Sequence, residues 1–270
     1  AAGRDAGDRG MNRMSRAALA MLAAALVFLL GPFVVVFVAG FSGDETLAFP
    51  PQTYSWRWLA HVFTVDGFRR SFATSMVVSV GSTVGALALG VPVAYALARR
   101  KLPGQEVVRT LVTLPLIVPG IIVGLALLNH MVLVYDLPVL ASLLVGHTAL
   151  LLPYAVRVVS ASLANLRADI DDAAVTLGAT RAQAFFKVVL PNIRGGIAAA
   201  AVLAFITSFN QVPVSLFLTG PGVSTLPIEM MAYMETSYDP SIAALSTLLV
   251  LFTVVLVALT ERLLGISHYV

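Results

Sequence analysis

Apolar positions along this chain fall into long blocks separated by short charged segments. They do not alternate, as in a half-buried strand, and they are not confined to one helical stripe. A helix that crosses a bilayer needs about 20 apolar residues. Six blocks reach that length: Ala17–Ala39, Phe72–Ala98, Leu111–Val132, Val139–Val159, Gly196–Leu218 and Ile242–Leu264. The pattern predicts an all-α membrane protein with six transmembrane helices. The first block, at 23 residues, is too long for the apolar core of a signal peptide, so it is read as a retained first helix. The preceding residues 1–16 lack an apolar pattern. They are expected to form a disordered cytoplasmic lead-in, with the start at Met11 or Met14, to one transmembrane domain at 17–270.

Composition agrees with the pattern. Only 11% of the 270 residues are charged and 59% are hydrophobic. A soluble domain carries about 25% charged residues. There is no cysteine, which excludes disulfides, thiolate chemistry and cysteine–metal sites. The net charge of +3 would suit a nucleic acid, but its distribution does not. With the N-terminus inside, the inner segments hold Arg4, Arg9, Arg13, Arg16, Arg99, Arg100, Lys101, Arg109, Arg157, Arg167, Arg181, Lys187, Arg194 and Arg262. The outer segments hold Arg57, Arg69 and Arg70 alone. Basic residues flank spans on the cytoplasmic side, so both termini are expected in the cytoplasm. These residues set topology, and no nucleic-acid partner is expected.

The acids divide evenly, seven to each side, which leaves the outer face at −4 and the inner face at +7. The outer acids are Asp44, Glu45, Asp66, Asp136, Glu229, Glu235 and Asp239. A negative entrance concentrates cations. The same sign also follows simply from outer loops that lack basic residues.

Within the spans, Gly81 and Gly85 with Gly90 form a small-residue face suited to close helix packing. Pro115 and Pro119 should bend or break the third span. His147 in span four, and Asn210 with Gln211 in the middle of span five before Pro213, are the polar exceptions. Such groups either pair between helices or line a pathway, and the three are candidates for a translocation route. No Asp or Glu occupies a span centre, as proton- and sodium-coupled carriers usually require, so energy should enter elsewhere. His61, His130, His147 and His268 show no ligand spacing, so no metal site is expected. Nor is there a nucleophile–base cluster for a membrane enzyme. GxxxxGK[ST], the phosphate cradle of P-loop ATPases, does not occur.

The loop before span five reads RADIDDAAVTLGATRAQAFFKVVLPNIRGGI, from Arg167 to Ile197. Asp169, Asp171 and Asp172 favour a helix start. Ala173 and Ala174 give a small face, and Gly178 breaks the helix. A second helix is expected from about Ala179 to Val189, with Pro191 ending it. Two short helices joined at an elbow could lie flat against the membrane and enter a groove on a cytosolic partner.

The spacing Asp172-Ala173-Ala174, three residues, Gly178, nine residues, Val188, one residue, Leu190-Pro191 resembles the EAA loop of binding-protein-dependent ABC importer permeases. Asp172 stands where Glu is usual, and Gly195 where a Pro-Gly often begins. Three further stretches are similar to spermidine/putrescine-type permeases: Phe49-Pro50-Pro51 with Tyr54 to Trp58, Pro92 to Arg99, and Leu226-Pro227-Ile228 with Ser237 to Ala244. That group also handles ferric iron, phosphonates and opines. The resemblance implies a bacterial inner-membrane permease subunit that binds no cofactor itself. Its implied partners are two ABC ATPase subunits that use the ATP, a second permease subunit (identical or related), a periplasmic substrate-binding protein and membrane lipid. It further implies that Asp171, Asp172, Ala173, Ala174, Gly178, Ala179, Leu190 and Pro191 form the ATPase-coupling loop, and that a polyamine is the substrate.

Overall fold

A computed structural model describes residues 16–100, 103–167 and 169–264. The expected lead-in, with Arg4, Arg9 and Arg13, and also Lys101 and His268, lie outside the described residues. Described regular structure is helical apart from two isolated β-bridges. Among the described residues four helices are long and apolar enough to cross a membrane: α1 (Arg16–Gly40), α3 (Asp66–Arg99), α6 (Val139–Ala164) and α13 (Ser241–Leu264). Two further pairs of helices, sharply bent, raise the count to six if each pair is one span.

The first pair is α4 (Gln105–Ile117) and α5 (Gly120–Leu127), the latter running on as a π-helical turn over Leu128–Val134. They meet at 100°. Of the two prolines expected to break this span, Pro119 does so and Pro115 lies inside α4. Val118 takes an extended backbone (ψ 129°), because the ring of the following proline disfavours the helical region there.

The fifth span differs from expectation. Helix α10 (Arg194–Phe209) stops well short of Leu218, and a separate turn α11 (Ser215–Leu218) follows. The ring of Pro213 would meet the carbonyl four residues back, which is that of Phe209, where the helix ends. Asn210 and Gln211 therefore sit in a break and not in mid-helix. Helix α6, conversely, runs five residues past the expected Val159. Arg157, two residues before the end of the expected span, thus lies seven residues before the end of α6.

The chain divides into two compact units. The larger, 63–237 with 250–270, is built on the packing of α3, α6 and α10. Gly81, Gly85 and Gly90 of α3 all face α6. A Cβ on Gly90 would lie 2.8 Å from the Cβ of Ala155, and one on Gly85 3.0 Å from the Thr148 hydroxyl. Below them Val91, Ala94, Leu97, Val156, Val159, Leu163, Val189, Ile193 and Ala200 share one buried cluster. That cluster joins the end of α3 to the helices after residue 185, and it positions the loop described below.

The smaller unit, 1–62 with 238–249, contains α1, whose apolar residues are exposed along most of its length. Such a helix needs lipid or another subunit around it. The loop after α1 is ordered by Asp44, whose carboxylate accepts from the backbone N–H of Gln52 (2.8 Å) and Thr53 (3.2 Å) and from the Thr53 hydroxyl (2.8 Å). These donors, that of Gln52 foremost, hold its pKa below the usual carboxylate value. Arg57 closes a two-pronged pair on Glu45 (2.6 and 3.1 Å), next to the short helix α2 (Arg57–His61).

The close α3–α6 contact is testable. Gly90→Val inserts a branched side chain where only a hydrogen fits, and overpacking of that kind costs about 1–3 kcal/mol. The expected result is a lower thermal unfolding midpoint of the detergent-solubilised chain. An unchanged midpoint would contradict the packing.

Candidate functional site: the loop before α10

Helix α7 (Ile170–Thr176) begins after Asp169, with Asp171 and Asp172 in its first turn, where carboxylates favour the helix dipole. Gly178 ends it in the left-handed region, with φ at 93°. The Gly178 N–H donates to Val175 O (2.9 Å) and the Ala179 N–H to Ala174 O (3.1 Å). That paired pattern is the Schellman close of a helix, and it demands a residue without a Cβ penalty at Gly178. Directly after it Thr180 opens α8 (Arg181–Ala184) with a capping box. The Gln183 N–H donates to Thr180 Oγ1 (3.2 Å), and the Thr180 N–H donates to Gln183 Oε1 (2.8 Å). A helix stop and a helix start only two residues apart make a stiff elbow.

Helix α8 continues through a π-helical turn, Phe185–Val189, into α9 (Leu190–Asn192). Pro191 was expected to stop the second helix. Instead it occupies the first positions of a new turn, and the chain bends by 71° at Ile193, before α10. Pro191 has no N–H to offer the carbonyl four residues back, and the wider turn before it accommodates that loss. Leu190 packs half-buried against the core cluster, and Pro191 is exposed.

The two acids of the first turn have opposite fates. Asp171 is buried, at 3% exposure. The Tyr95 hydroxyl donates to its Oδ2 at 2.7 Å, and Nε of Arg99 lies 3.8 Å from the same oxygen. Arg99 Nη2 also donates to the carbonyls of Leu166 (3.0 Å) and Arg167 (3.3 Å). Tyr95 and Arg99 are one turn apart on α3, so a single face of that helix grips the start of the loop. The ring of Phe185 packs on Tyr95, with centroids 4.8 Å apart. Asp172, in contrast, is exposed and pairs across the elbow with Arg181 at 2.8 Å. Arg167 donates twice to Asp169 (2.6 and 3.1 Å) and holds that carboxyl below its usual range.

The loop therefore has two faces. Asp171, Ala184, Val189 and Ile193 turn inward. Asp172, Ala173, Gly178 and Arg181 turn outward, together with two apolar side chains, Leu177 (89% exposed) and Phe186 (62%). Ala174 and Ala179 are half-buried between these faces. Sequence reasoning missed Leu177, Phe186, Tyr95 and the Thr180–Gln183 box. Only the last carried a local signature, Thr-x-x-Gln after a glycine.

The other three candidates do not form one site. His147 is buried, at 1% exposure. Its Nδ1 lies 2.8 Å from Ser208 Oγ and its Nε2 3.0 Å from Ser215 Oγ. Ser208 lies 3.1 Å from Ser82 Oγ, and the Ser82 hydroxyl donates to Val78 O at 2.6 Å. His147 thus bridges the two sides of the break between α10 and α11. Asn210 is exposed and its amide donates to its own helix at Ile206 O (3.1 Å), while Gln211 is half-buried. Ser82, Ser208 and Ser215 were not anticipated.

Residues 71–267 match the family of binding-protein-dependent transport system inner membrane components, and the chain belongs to that family, as a permease subunit of an ABC importer. Similar proteins include the putrescine transport system permease protein PotI of Escherichia coli (strain K12), 27% identical over 86% of this chain and 84% of the relative. The spermidine/putrescine transport system permease protein PotC of the same strain is 26% identical over 89% of this chain and 90% of the relative. A probable ABC transporter permease protein of Sinorhizobium fredii (strain NBRC 101917 / NGR234) is 30% identical over 77% and 76%. Among solved structures, a bacterial ABC transporter for the acidic polysaccharide alginate has a chain with the same fold. Its TM-score is 0.68 at 17% identity, over 90% of this chain and 94% of that one. The MetNI methionine transporter, inward facing, gives a TM-score of 0.58 at 23% identity, over 76% of this chain and 95% of that one.

Tyr95→Phe removes the one close side-chain donor to the buried Asp171 carboxylate among the described residues. A lost hydrogen bond to a charged group costs about 1.5–3 kcal/mol. The expected outcome is a lower unfolding midpoint together with faster amide exchange across residues 169–177. Exchange at the wild-type rate would show that Tyr95 does not hold the loop.

Proposed function

We propose that this chain imports a polyamine such as putrescine or spermidine, and that residues 169–192 are its coupling element to a separate ATPase. The observation that carries the reading is the two-faced elbow. Its inner face is pinned to α3 through Asp171, Tyr95 and Arg99. Its outer face offers Leu177 and Phe186, apolar knobs of the sort that fill a groove on a partner.

The mechanism follows from that stiffness. A pair of ATPase subunits closes on ATP, and each grips one elbow. Because α7 is tied to α3, and Val189 and Ile193 sit in the same core cluster as Val91, Ala94 and Leu97, a push on the elbow moves α3, α6 and α10 together. A second permease subunit, identical or related, completes the pathway, and a periplasmic binding protein delivers substrate to the outer loops. Hydrolysis belongs to the ATPase chains, since this sequence has no phosphate cradle. On this reading the elbow faces the cytoplasm of a bacterium, as do both termini, and the protein sits in the inner membrane.

The substrate reading rests on what PotI and PotC are named for and on the acidic surplus assigned to the outer face. Glu45 and Asp66 are paired with Arg57 and Arg69. Asp136, Glu229 and Glu235 have no ion pair among the described residues and remain to draw a polycation toward the entrance.

Cells lacking the gene, complemented with wild type or Gly178→Asp, test both parts through uptake of labelled putrescine and spermidine. Wild type should restore uptake. Gly178→Asp should not, because its side chain opposes a φ of 93°. Uptake with the variant at the wild-type rate would remove the coupling role. No polyamine uptake with wild type would move the substrate to ferric iron, a phosphonate or an opine.

A further inference from the structure

In the larger unit, α3 ends, α4 begins and α6 nears its end around a cleft of about 580 Å³. Among the described residues Arg99, Arg109 and Arg157 line it, and no acidic residue does. Among the described residues the side chains of Arg109 and Arg157 have no hydrogen-bond or ion-pair partner, and both residues are exposed. Arg99 binds the carbonyls of Leu166 and Arg167 through Nη2 and lies 3.8 Å from Asp171, the charged group facing it from α7. Its Nε is buried without a hydrogen bond, with the Asp171 carboxylate 3.8 Å away. The rest of the wall is largely apolar, with Val112 and Leu116 on α4 and Leu163 on α6.

Depth makes this arrangement unusual. Arg157 precedes the last residue of α6 by seven positions, which is about 10 Å along the axis. An arginine that far along an apolar helix is costly unless it snorkels, meets water or meets an anion. Three guanidiniums around one cleft repel one another, and an anion held between Arg109 and Arg157 relieves that repulsion. A polyamine would be repelled as well, which sets the cleft apart from any route a polycation takes.

We propose that this cleft binds the phosphate-bearing headgroup of an acidic phospholipid from the leaflet on the elbow's side. Arg109 and Arg157 hold the phosphate in forked hydrogen bonds, and Arg99 lies at the rim nearest α7. An acyl chain runs along Val112 and Leu116. A soluble anion would use the arginines but not the apolar wall. Arg99 both lines the cleft and touches Asp171, so an occupied cleft stands directly beside the elbow's anchor.

The test uses the full chain, delipidated in neutral detergent, with native mass spectrometry to count bound lipid. The probes are dioleoylphosphatidylglycerol, dioleoylphosphatidylcholine, inorganic phosphate and glycerol 3-phosphate. Wild type should retain phosphatidylglycerol in preference to phosphatidylcholine. Arg109→Gln/Arg157→Gln should bind it about tenfold or more weakly, since each basic contact contributes about fivefold. Lys187→Gln/Arg194→Gln, which removes two charges outside the cleft, should bind it as wild type does. Equal loss in both double variants would overturn the site in favour of general surface attraction. Binding of either soluble phosphate with the same dependence on Arg109 and Arg157 would overturn the lipid assignment. Should the cleft double variant fail to fold, the exposed Arg109→Gln alone serves, and wild-type lipid retention by it would contradict the proposal.

Discussion

One buried carboxylate organises the account. Asp171 sits at 3% exposure, 2.7 Å from the Tyr95 hydroxyl and 3.8 Å from Arg99. A charge in that position is tolerable only with such partners, and it loses them if α7 moves independently of α3. The contact therefore welds a surface loop to a membrane helix. Neighbouring features extend the weld. The Schellman close at Gly178 and the capping box at Thr180 fix the angle of the elbow, and Val189 and Ile193 anchor its far end in the core. Flexibility anywhere along this line would dissipate a push from outside before it reached the bundle.

The interior shows a second use of polar groups. His147 spans the break between α10 and α11 by reaching one serine on each side. A broken helix within a membrane leaves backbone groups that need partners, and irregular backbone there persists only where protein or a water-lined cavity surrounds it. The imidazole, joined through Ser208 to Ser82 on α3, fixes the break against two neighbouring helices. Asn210, at the break itself, is exposed and satisfies its amide on its own helix.

Much of this was legible from residue types alone. The long apolar blocks marked α1 and α13 to within a residue or two at each end, and α3 and α6 to within six, because a bilayer imposes length and polarity at once. The glycine at 178 announced its positive φ through its place between two helix-forming stretches. The end of α10 was also readable, since Pro213 lies four residues after Phe209, but the apolar run through Leu218 outweighed that signal. The choice between Asp171 and Asp172 was not readable. Adjacent residues on a helix point about 100° apart, and which of them is buried depends on where α3 passes. The serine partners of His147 lie 61 and 68 positions away, beyond any local pattern. Arg157, which the expected span already held near its end, proves to lie two turns before the end of α6, because the helix runs on to Ala164.

The central claim is that the outer face of the elbow seats on an ATPase. A chain without cysteine permits a direct measurement, since Leu177→Cys introduces the sole thiol. A short photoactivatable cross-linker on that thiol, used in native membranes with the transporter assembled, reports what lies against the elbow. The account predicts an adduct between this chain and an ABC ATPase subunit, absent when the cysteine is placed at Leu47 in the loop after α1. An adduct only with lipid or with the binding protein, or equal ATPase capture from Leu47→Cys, would contradict it.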